Sequence, residues 1–424
     1  GDVLSVTGLR GEQISRLGAH FDPIVALLAP LWWVWPDASL LLVTQSAAVA
    51  SGAIPVFLLA RRHLGSEWAA SGFVLAYLAY PATQWLVVDD FHPVAFATPL
   101  LLFGFWYLEQ GRLAPFGLVA VLACTTKEQV GLTVAAMGLW YALRTGRRRV
   151  GLAIAVAGAT VSLLAVTVVV PHFSVGGGSP FSDRYASVGG TPGGILRVAA
   201  TDPGAIAAAV SETRDLAYLG DLLLPLALLP LLAPLTALTA LPELALNLLS
   251  DTRTQTSIHF HYTAPAIPGL FVAAIMGTAA LRRRVAGSLP VAARGIVIAA
   301  IVGGIVLGPL PVWRHVPGGS ELGTREHVVT DHARAASRAV SRVPDGAVVS
   351  ATNTIGAHLS ERRTIFSFPV VNDATWIVVD TERPSHLDRA VAPLEFARAL
   401  DRLRRDGRFV QVADEDGVLV FRRR

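Results

Sequence analysis

Acidic, basic and imidazole side chains interrupt an otherwise apolar chain at four short places. The motifs are HFDP at 20–23, DDFHP at 89–93, KE at 127–128 and HFHY at 259–262. A carboxylate can remove a proton from a hydroxyl group. An ammonium group can hold a phosphate or a carboxylate, and an imidazole can ligate a metal or donate a hydrogen bond. Together the four motifs offer the groups of an acid–base, anion-binding or metal-binding site.

The aspartates of the first two motifs also have a structural interpretation. Asp89 and Asp90 are adjacent and would not face the same way on a helix, so we expect different roles for them. One of them could only cap the helix that begins near Pro93. Asp22 before Pro23 likewise fits a helix cap with proline at the first helical position. A carboxylate beside a low-dielectric wall can instead have a raised pKa and act as a general base.

Lys127 is the single lysine in a chain that otherwise uses arginine. A compact ammonium group is a point-charge partner for phosphate or carboxylate, so Lys127 is a candidate for binding an anionic substrate. Its neighbour Glu128 could hold a metal or take a proton. The alternative is a salt bridge from Lys127 to Asp89, Asp90 or Glu128 that joins two helix ends.

HFHY places His259 and His261 two residues apart, so in an extended segment both imidazoles would point the same way. They could ligate a divalent ion such as Mg²⁺ or Mn²⁺ with a carboxylate, or donate hydrogen bonds to a phosphate. Histidine and Tyr262 are also ordinary at a membrane interface, and the spacing alone is a weak metal signal. The glycine-rich segment 174–185 lacks the pattern of a P-loop, but its Arg184 could contact a substrate phosphate.

The elements that must position these residues are predicted to be membrane helices. The chain has 424 residues, of which 53% are hydrophobic and 16% charged, well below the charged fraction of soluble domains. Apolar runs at 40–60 and 150–170 reach the length that crosses a bilayer. The arginine clusters are interpreted as cytoplasmic anchors, so no nucleic-acid partner is expected. Cys124, the only cysteine, excludes an intrachain disulfide and is expected to be buried.

The positive-inside rule predicts the threading of the chain. With the arginines at 61–62, 144–149 and 282–284 on the cytoplasmic side, the chain forms about ten transmembrane helices. All four polar motifs and both chain ends then lie on the external side. The apolar segment 21–35, which ends in tryptophans, is expected to lie at the external interface.

The predicted fold class is an all-α polytopic membrane protein with a small C-terminal soluble α/β domain. Its parts are an external interfacial segment at 1–38, a transmembrane domain at 39–315 with a large external loop at 172–215, and an external α/β domain at 320–424. Within the last, 332–343 and 396–405 look helical, 347–351 and 375–380 look like buried strands, and 409–421 looks like a hairpin.

The segments HFDPIVALLAPLWWVWP, DDFHPVAFATPLLL, TTKEQVGL and HFHYTAPAIPGLF resemble the DUF2079 family of bacterial membrane proteins, which is grouped with the GT-C superfamily of membrane glycosyltransferases. The resemblance implies a GT-C-like fold. It also implies transfer of a sugar from a polyprenyl-phosphate carrier to an acceptor on the external face, with an acidic base and with basic residues or a metal at the carrier phosphate. The matching positions are His20, Asp90, His92, Lys127, Glu128, His261 and Tyr262.

One departure concerns the catalytic base. GT-C proteins often carry a key aspartate just after their first transmembrane helix, and this chain is expected to start beyond that point. The candidate catalytic residues are therefore Asp22, Asp89, Asp90 and Glu128, with none singled out. The candidate substrate-binding residues are His20, His92, Lys127, Arg184, His259, His261 and Tyr262.

The favoured function is a glycosyltransferase of the bacterial plasma membrane and cell envelope, acting on a polyprenyl-phosphate-linked sugar in the lipid bilayer. Frequent arginine and alanine are typical of actinobacteria. A transporter or lipid flippase is the first alternative, since proline-broken helices suit that class, but it predicts ionisable residues near the middle of the bilayer. A non-catalytic sensor or scaffold is the second. The sugar and the acceptor, whether glycan, lipid or protein, stay open.

Overall fold

The computed structural model describes residues 4–7, 12–88, 90–175, 182–321, 329–385, 388 and 393–424. The chain divides into two compact units. The first, the helical unit, comprises Arg16–Leu28 and Leu41–His327, and the second comprises Gly1–Ser15, Ala29–Leu40 and Val328–Arg424. All four polar motifs fall in the helical unit.

Helices make up most of the described chain up to Leu307. In chain order they are α1 (Ser39–Ser51), α2 (Ala53–Leu64), α3 (Glu67–Ala79), α4 (Pro81–Val88), α5 (Ala97–Glu109), α6 (Leu113–Cys124), α7 (Val130–Thr145), α8 (Arg148–Leu164), α9 (Pro192–Thr201), α10 (Pro203–Ala209), α11 (Thr213–Leu223), α12 (Leu241–Leu248), α13 (Ala266–Arg284) and α14 (Ser288–Leu307). A single-turn helix at Ala29–Trp32 precedes α1, and others at Val170–Phe173 and Pro234–Ala237 lie between the longer helices.

Candidate membrane spans are fewer than the sequence predicted. Within the described residues, Ser39–Leu64, Arg148–Phe173, Ala266–Arg284 and Ser288–Leu307 are long and apolar enough to cross a bilayer. A fifth candidate arises if α3 and α4, which meet at a bend of 47°, count as one broken span. The prediction of about ten transmembrane helices is therefore wrong.

Helix length and proline explain the difference. The helices Pro93–Glu109 and Leu113–Cys124 are apolar but fall in the class of 10–17 residues, shorter than the roughly 20 residues that a span needs. The run 216–250, expected to hold two spans, is instead broken at its prolines into short helices such as Leu229–Leu232 and α12. Hydropathy counts apolar residues, but it does not measure how long the helix stays unbroken.

Glycine contacts and buried aromatic rings hold the helical unit together. A side chain on Gly131 of α7 would come within 2.4 Å of the Gly158 carbonyl oxygen on α8, so these helices pack backbone to backbone. Tyr77 and Tyr80 both meet the edge of Phe271 on α13, at ring distances of 5.3 and 5.2 Å. Close packing of this kind fixes the ends of α7 and α13, where the polar motifs lie.

The second unit contains a small mixed sheet. The strands of the second unit are β1 (Ser5–Thr7), β2 (Gln13–Ser15), β3 (Val349–Ala351), β4 (Ile365–Ser367), β5 (Trp376–Asp380), β6 (Phe409–Glu415) and β7 (Val418–Arg423). β1 and β2 form an antiparallel pair, and the other five form a sheet in the order β4-β3-β5-β7-β6. Helices α15 (Asp331–Ser341), α16 (Asn353–Ala357) and α17 (Pro393–Arg405) complete the unit.

Two hydrophobic clusters cover the faces of that sheet. Ala339 and Val343 pack with Val378 of β5 on one face, and Leu400 and Leu403 of α17 pack with its other face. Alternate residues of β5 therefore serve different clusters, as the period of a strand requires. The predicted strands at 347–351 and 375–380, the helices and the hairpin are confirmed, whereas β4 was not predicted.

Candidate functional site

Six segments bring polar side chains together at one end of the helical unit. We call the group the polar cluster; it consists of His20, His92, Lys127, Glu128, Arg184, Glu243, His261 and Tyr262. Its members come from the segment before the first helix, the α4–α5 connection, the α6–α7 turn, the residues before α9, α12, and the turn before α13. Residues far apart in the chain therefore converge because helix ends meet.

Lys127 occupies the centre of the polar cluster, in the turn between α6 and α7. Its side chain is 6% exposed. The Nζ atom lies 3.3 Å from His261 Nε2 and 4.8 Å from the centre of the Tyr262 ring. Among the described residues it forms no ion pair, so the predicted alternative of a salt bridge to Asp90 or Glu128 is not seen. A buried ammonium group without a direct counter-ion is costly unless a ligand supplies one.

Two stacked imidazoles adjoin Lys127. The rings of His92 and His261 are 3.6 Å apart. Because an ammonium group only donates, His261 Nε2 must accept, which places the ring proton on Nδ1. That Nδ1 is buried without a hydrogen-bond partner in the described part of the chain. Burial and the nearby Lys127 charge lower the pKa of His261, and burial lowers the pKa of His92 to about 4. Both rings are therefore neutral at pH 7.

A second cation, Arg184, also contacts Tyr262, with its guanidinium carbon 5.9 Å from the centre of the ring. Arg184 Nη1 donates to the Tyr262 hydroxyl at 3.3 Å. The Arg184 backbone carbonyl accepts from Asp251 N at 2.7 Å, which anchors the segment that carries it. Asn247 Nδ2 donates to the Tyr262 carbonyl at 3.0 Å and so fixes the tyrosine from α12. Lys127 and Arg184 thus both contact one aromatic ring.

Glu128 binds the segment that precedes the first helix. Its Oε1 lies 3.2 Å from His20 Nδ1, and its Oε2 accepts from Phe21 N at 3.0 Å. Ile24 N also donates to the Thr125 carbonyl at 3.1 Å. Burial would raise the pKa of Glu128, but the His20 hydrogen bond and the His20 and Lys127 charges outweigh it and lower the pKa to about 2. An ionised carboxylate with filled oxygens is an anchor rather than a strong base.

The DDFHP segment is held by a glutamine that sequence reasoning missed. Gln45 of α1 is fully buried and donates through Nε2 to the carbonyls of Leu86, at 3.1 Å, and Asp90, at 2.8 Å. Its Oε1 accepts from His92 N at 2.7 Å. The Asp90 carboxylate is exposed and accepts from Phe91 N, so it does not cap the next helix. Asp89 lies outside the described residues.

Glu243 is the second residue that sequence reasoning missed. It lies on α12, is 1% exposed, and accepts from Gln129 Nε2 at 3.3 Å through Oε1. The sequence could have indicated Glu243, because it is an acidic residue inside an apolar, proline-rich run. Buried ionisable groups are uncommon unless they are functional or paired.

Two predicted site residues have other partners. Asp22 is bound by Arg16 through both carboxylate oxygens, with a shortest distance of 2.6 Å. His259 packs on Trp85 at a ring distance of 4.7 Å, while His261 packs on His92. The two histidines of HFHY thus have different ring partners, in contrast to the expected same-side pair, because a 3-10 turn begins at His261.

The described residues contain no group of three or more His, Cys, Asp or Glu side chains placed to hold a metal ion. Cys124 is buried, as predicted.

The opposite end of the helical unit collects arginines. We call it the arginine end; it consists of Arg62, His63, Glu109, Arg144 and Arg282. Glu109 lies 2.9 Å from Arg144 Nε and 3.3 Å from His63 Nε2. Arg282 donates to the Leu64 carbonyl and joins α13 to α2. Since α13 has 19 residues, the two ends are about 28 Å apart at 1.5 Å per residue.

Residues 3–420 match the DUF2079 family, described as a predicted membrane protein. No curated protein matches the chain. Among solved structures, the chain is similar to ArnT from Cupriavidus metallidurans in the apo state, with 14% sequence identity and a TM-score of 0.51 over 99% of this chain and 90% of that chain. ArnT is a GT-C glycosyltransferase, and the likeness shows the fold. The chain belongs to the DUF2079 family of predicted membrane proteins and has a GT-C-like fold.

Proposed function

We propose that this protein is a membrane glycosyltransferase that moves a sugar from a polyprenyl-phosphate donor to an acceptor. The observation that carries the proposal is the pair of cations, Lys127 and Arg184, that both contact Tyr262. Lys127 is buried beside two neutral imidazoles and has no direct carboxylate partner in the described chain. A pocket with this charge is suited to a phosphate.

The donor phosphate would replace His261 as the main partner of Lys127. A polyprenyl phosphate gains negative charge as the sugar leaves, so fixed cations stabilise the transition state more than the ground state. Arg184 and the Tyr262 hydroxyl would bind further phosphate oxygens. The proton on His261 Nδ1 would supply another hydrogen bond after a small turn of the ring. His92 and His20 shape the same wall.

Asp90 is our candidate for the base that takes the acceptor proton. Its carboxylate is exposed beside His92, and Gln45 fixes its backbone. Glu128 and Asp22 are already bound by His20 and Arg16, so they suit anchoring better than proton transfer. Asp89 and His259 stay candidates from the sequence.

We also propose that the polar cluster lies on the extracytoplasmic side of a bacterial plasma membrane and the arginine end on the cytoplasmic side. Trp85, which packs on His259, donates to the Leu307 carbonyl at 2.7 Å. α14 therefore returns the chain to the side of the polar cluster, which favours an extracytoplasmic C-terminal domain. The three-part division at 1–38, 39–315 and 320–424 stays a prediction.

The position of the ionisable groups favours surface chemistry over transport. Lys127, Glu128, His92 and His261 lie in connections between helices, outside the candidate spans. A transporter or flippase of the expected kind would place such groups near the middle of the bilayer.

A transfer assay tests the proposal. Membranes containing the protein receive a panel of polyprenyl-phosphate donors with radiolabelled sugars, and transfer of label to an endogenous acceptor is measured. Asp90→Asn should reduce transfer about 100-fold or more while donor binding is retained. Glu67→Gln, an exposed change beside Arg61, is the matched control and should transfer normally. Equal transfer by Asp90→Asn would remove Asp90 from the mechanism, and failure of the wild type to bind any donor would contradict the proposed function.

A further inference from the structure

Glu243 is a buried acid with one satisfied oxygen. Its Oε1 accepts from Gln129, two residues after Lys127, at 3.3 Å. Its Oε2 is buried and has no hydrogen-bond partner in the described part of the chain. Buried polar atoms are nearly always paired, so an unpaired carboxylate oxygen beside a candidate binding site needs a functional explanation.

Titratable groups on three other segments interact electrostatically with Glu243. The Lys127 charge, in the α6–α7 turn, lowers the pKa of Glu243, and the neighbouring Glu128 charge raises it. The Glu243 charge in turn acts on the hydroxyls of Tyr185, in the segment before α9, and Tyr218, on α11. Burial raises the pKa of Glu243 to about 7, against the opposing effect of Lys127. Both the charged and the neutral carboxyl are therefore accessible near neutral pH.

One helix links this acid to the aromatic ring of the site. Asn247 lies one turn after Glu243 on α12, so both side chains project from the same face. Asn247 binds the Tyr262 carbonyl and the Tyr218 hydroxyl. Glu243 therefore shares a helix face with Asn247, which binds Tyr262. It also contacts Gln129, in the turn that carries Lys127. A change of charge on Glu243 can reach the site by both routes.

We propose that Glu243 is a positioning residue that couples phosphate binding at Lys127 to the uptake of one proton. The inference rests on the proposed function and adds a role that the fold likeness does not supply. In the empty site the Glu243 carboxylate stabilises the Lys127 charge. A bound phosphate is a second anion near one ammonium group, and the repulsion is relieved when Glu243 takes a proton from solvent. Release of the phosphate returns that proton.

The sign of the pH dependence follows from this coupling. Below a pH of about 7, Glu243 is already neutral in the empty protein, so phosphate affinity is highest and changes little with pH. Above it, each binding event must take up a proton, and the affinity falls by up to about tenfold per pH unit. His92, with a pKa of about 4, stays neutral over this range and does not contribute.

The test uses the full chain in detergent and methyl farnesyl phosphate as the probe. This phosphodiester keeps one negative charge across pH 6–9, so changes in affinity come from the protein. Isothermal titration calorimetry in two buffers of different ionisation enthalpy measures proton uptake directly. We expect uptake approaching one proton per site at pH 8 in the wild type and none in Glu243→Gln. The variant should bind at pH 8 with the affinity that the wild type has at pH 6.

Glu212→Gln, an exposed change on the N-cap of α11, is the matched control and should keep normal uptake. Probe binding without proton uptake in the wild type would overturn the inference but leave the proposed function standing, and this result needs no variant. Uptake that persists in Glu243→Gln and disappears in His20→Gln would also overturn it. No probe binding at any pH would contradict both proposals.

Discussion

The two ends of the helical unit carry similar charges but arrange them differently. At the arginine end, Arg62, His63 and Arg144 surround the Glu109 carboxylate, and the arginine side chains are about half exposed. At the polar cluster, Lys127 is buried and contacts an imidazole and an aromatic ring. A cation paired directly with a carboxylate stabilises structure, whereas a desolvated cation without a direct ion pair is prepared for an anionic ligand.

The largest expected effect is at Lys127. Lys127→Gln removes the central charge, and we expect affinity for methyl farnesyl phosphate to fall at least about 100-fold, since loss of a charged partner in a desolvated site costs about 2–5 kcal/mol. Calorimetric titration measures it. Lys127→Arg keeps the charge and should restore part of the affinity. Unchanged affinity in Lys127→Gln would show that Lys127 does not bind the phosphate and that the polar cluster does not differ from the arginine end in this respect.

The second effect concerns stability and its pH dependence at Glu128. The folded pKa of about 2 lies below the ordinary value of 4.5, so the stabilisation is present above pH 4.5 and is lost as pH falls toward 2. Glu128→Gln should lower the free energy of unfolding at pH 7 by on the order of 2 kcal/mol. The difference from wild type should shrink below pH 4.5 and close only near pH 2 in thermal unfolding experiments. A difference that is constant with pH would show that charge is not its cause.

Gln45 should give a smaller change. Gln45→Leu leaves the Leu86 and Asp90 carbonyls and the His92 amide without their partner. We expect the His92 ring to lose its fixed place on His261 and probe affinity to fall about tenfold, which corresponds to about 1.4 kcal/mol. Ser46→Ala removes a hydroxyl that binds only its own helix, at Leu42, and is the control. If Gln45→Leu and Ser46→Ala bind the probe with equal affinity, Gln45 does not position the binding site.

The smallest effect is expected at the arginine end. Arg144→Gln removes one of the cations on Glu109 but leaves Arg62 and His63 in place. Exposed ion pairs contribute about 0–1 kcal/mol, so the melting temperature should change little. Probe affinity should stay within about twofold of wild type. A large loss of affinity in this variant would mean that the anion binds at the arginine end.

The convergence of the four motifs could be predicted because it depends on chain direction. Once the arginine clusters are placed together, alternation of helices puts DDFHP, KE and HFHY at the other end. Much of the C-terminal sheet could also be predicted, because β5 and the β6–β7 hairpin have the short, β-branched and alternating patterns of strands. Helix direction and strand patterns can both be predicted from short stretches of the sequence.

Other features depend on contacts that no local pattern carries. Gln45 and Glu243 are single polar residues in apolar helices, and their roles appear only when the connections at 90–92 and 127–129 pack against them. The number of spans was overestimated because α5 and α6 are apolar but short, and because the prolines of 225–242 end helices early. His259 and His261 differ in ring partner because a turn starts between them.

A cryo-electron microscopy structure of the full chain with methyl farnesyl phosphate would show whether Lys127 and Arg184 bind the phosphate. We expect phosphate density within about 4 Å of Lys127 Nζ and beside the Arg184 guanidinium. We expect no phosphate density around Arg62 and Arg144. Phosphate bound only at the arginine end, or a Lys127 that still contacts His261 alone while the ligand lies elsewhere, would contradict the proposed binding of phosphate by Lys127 and Arg184.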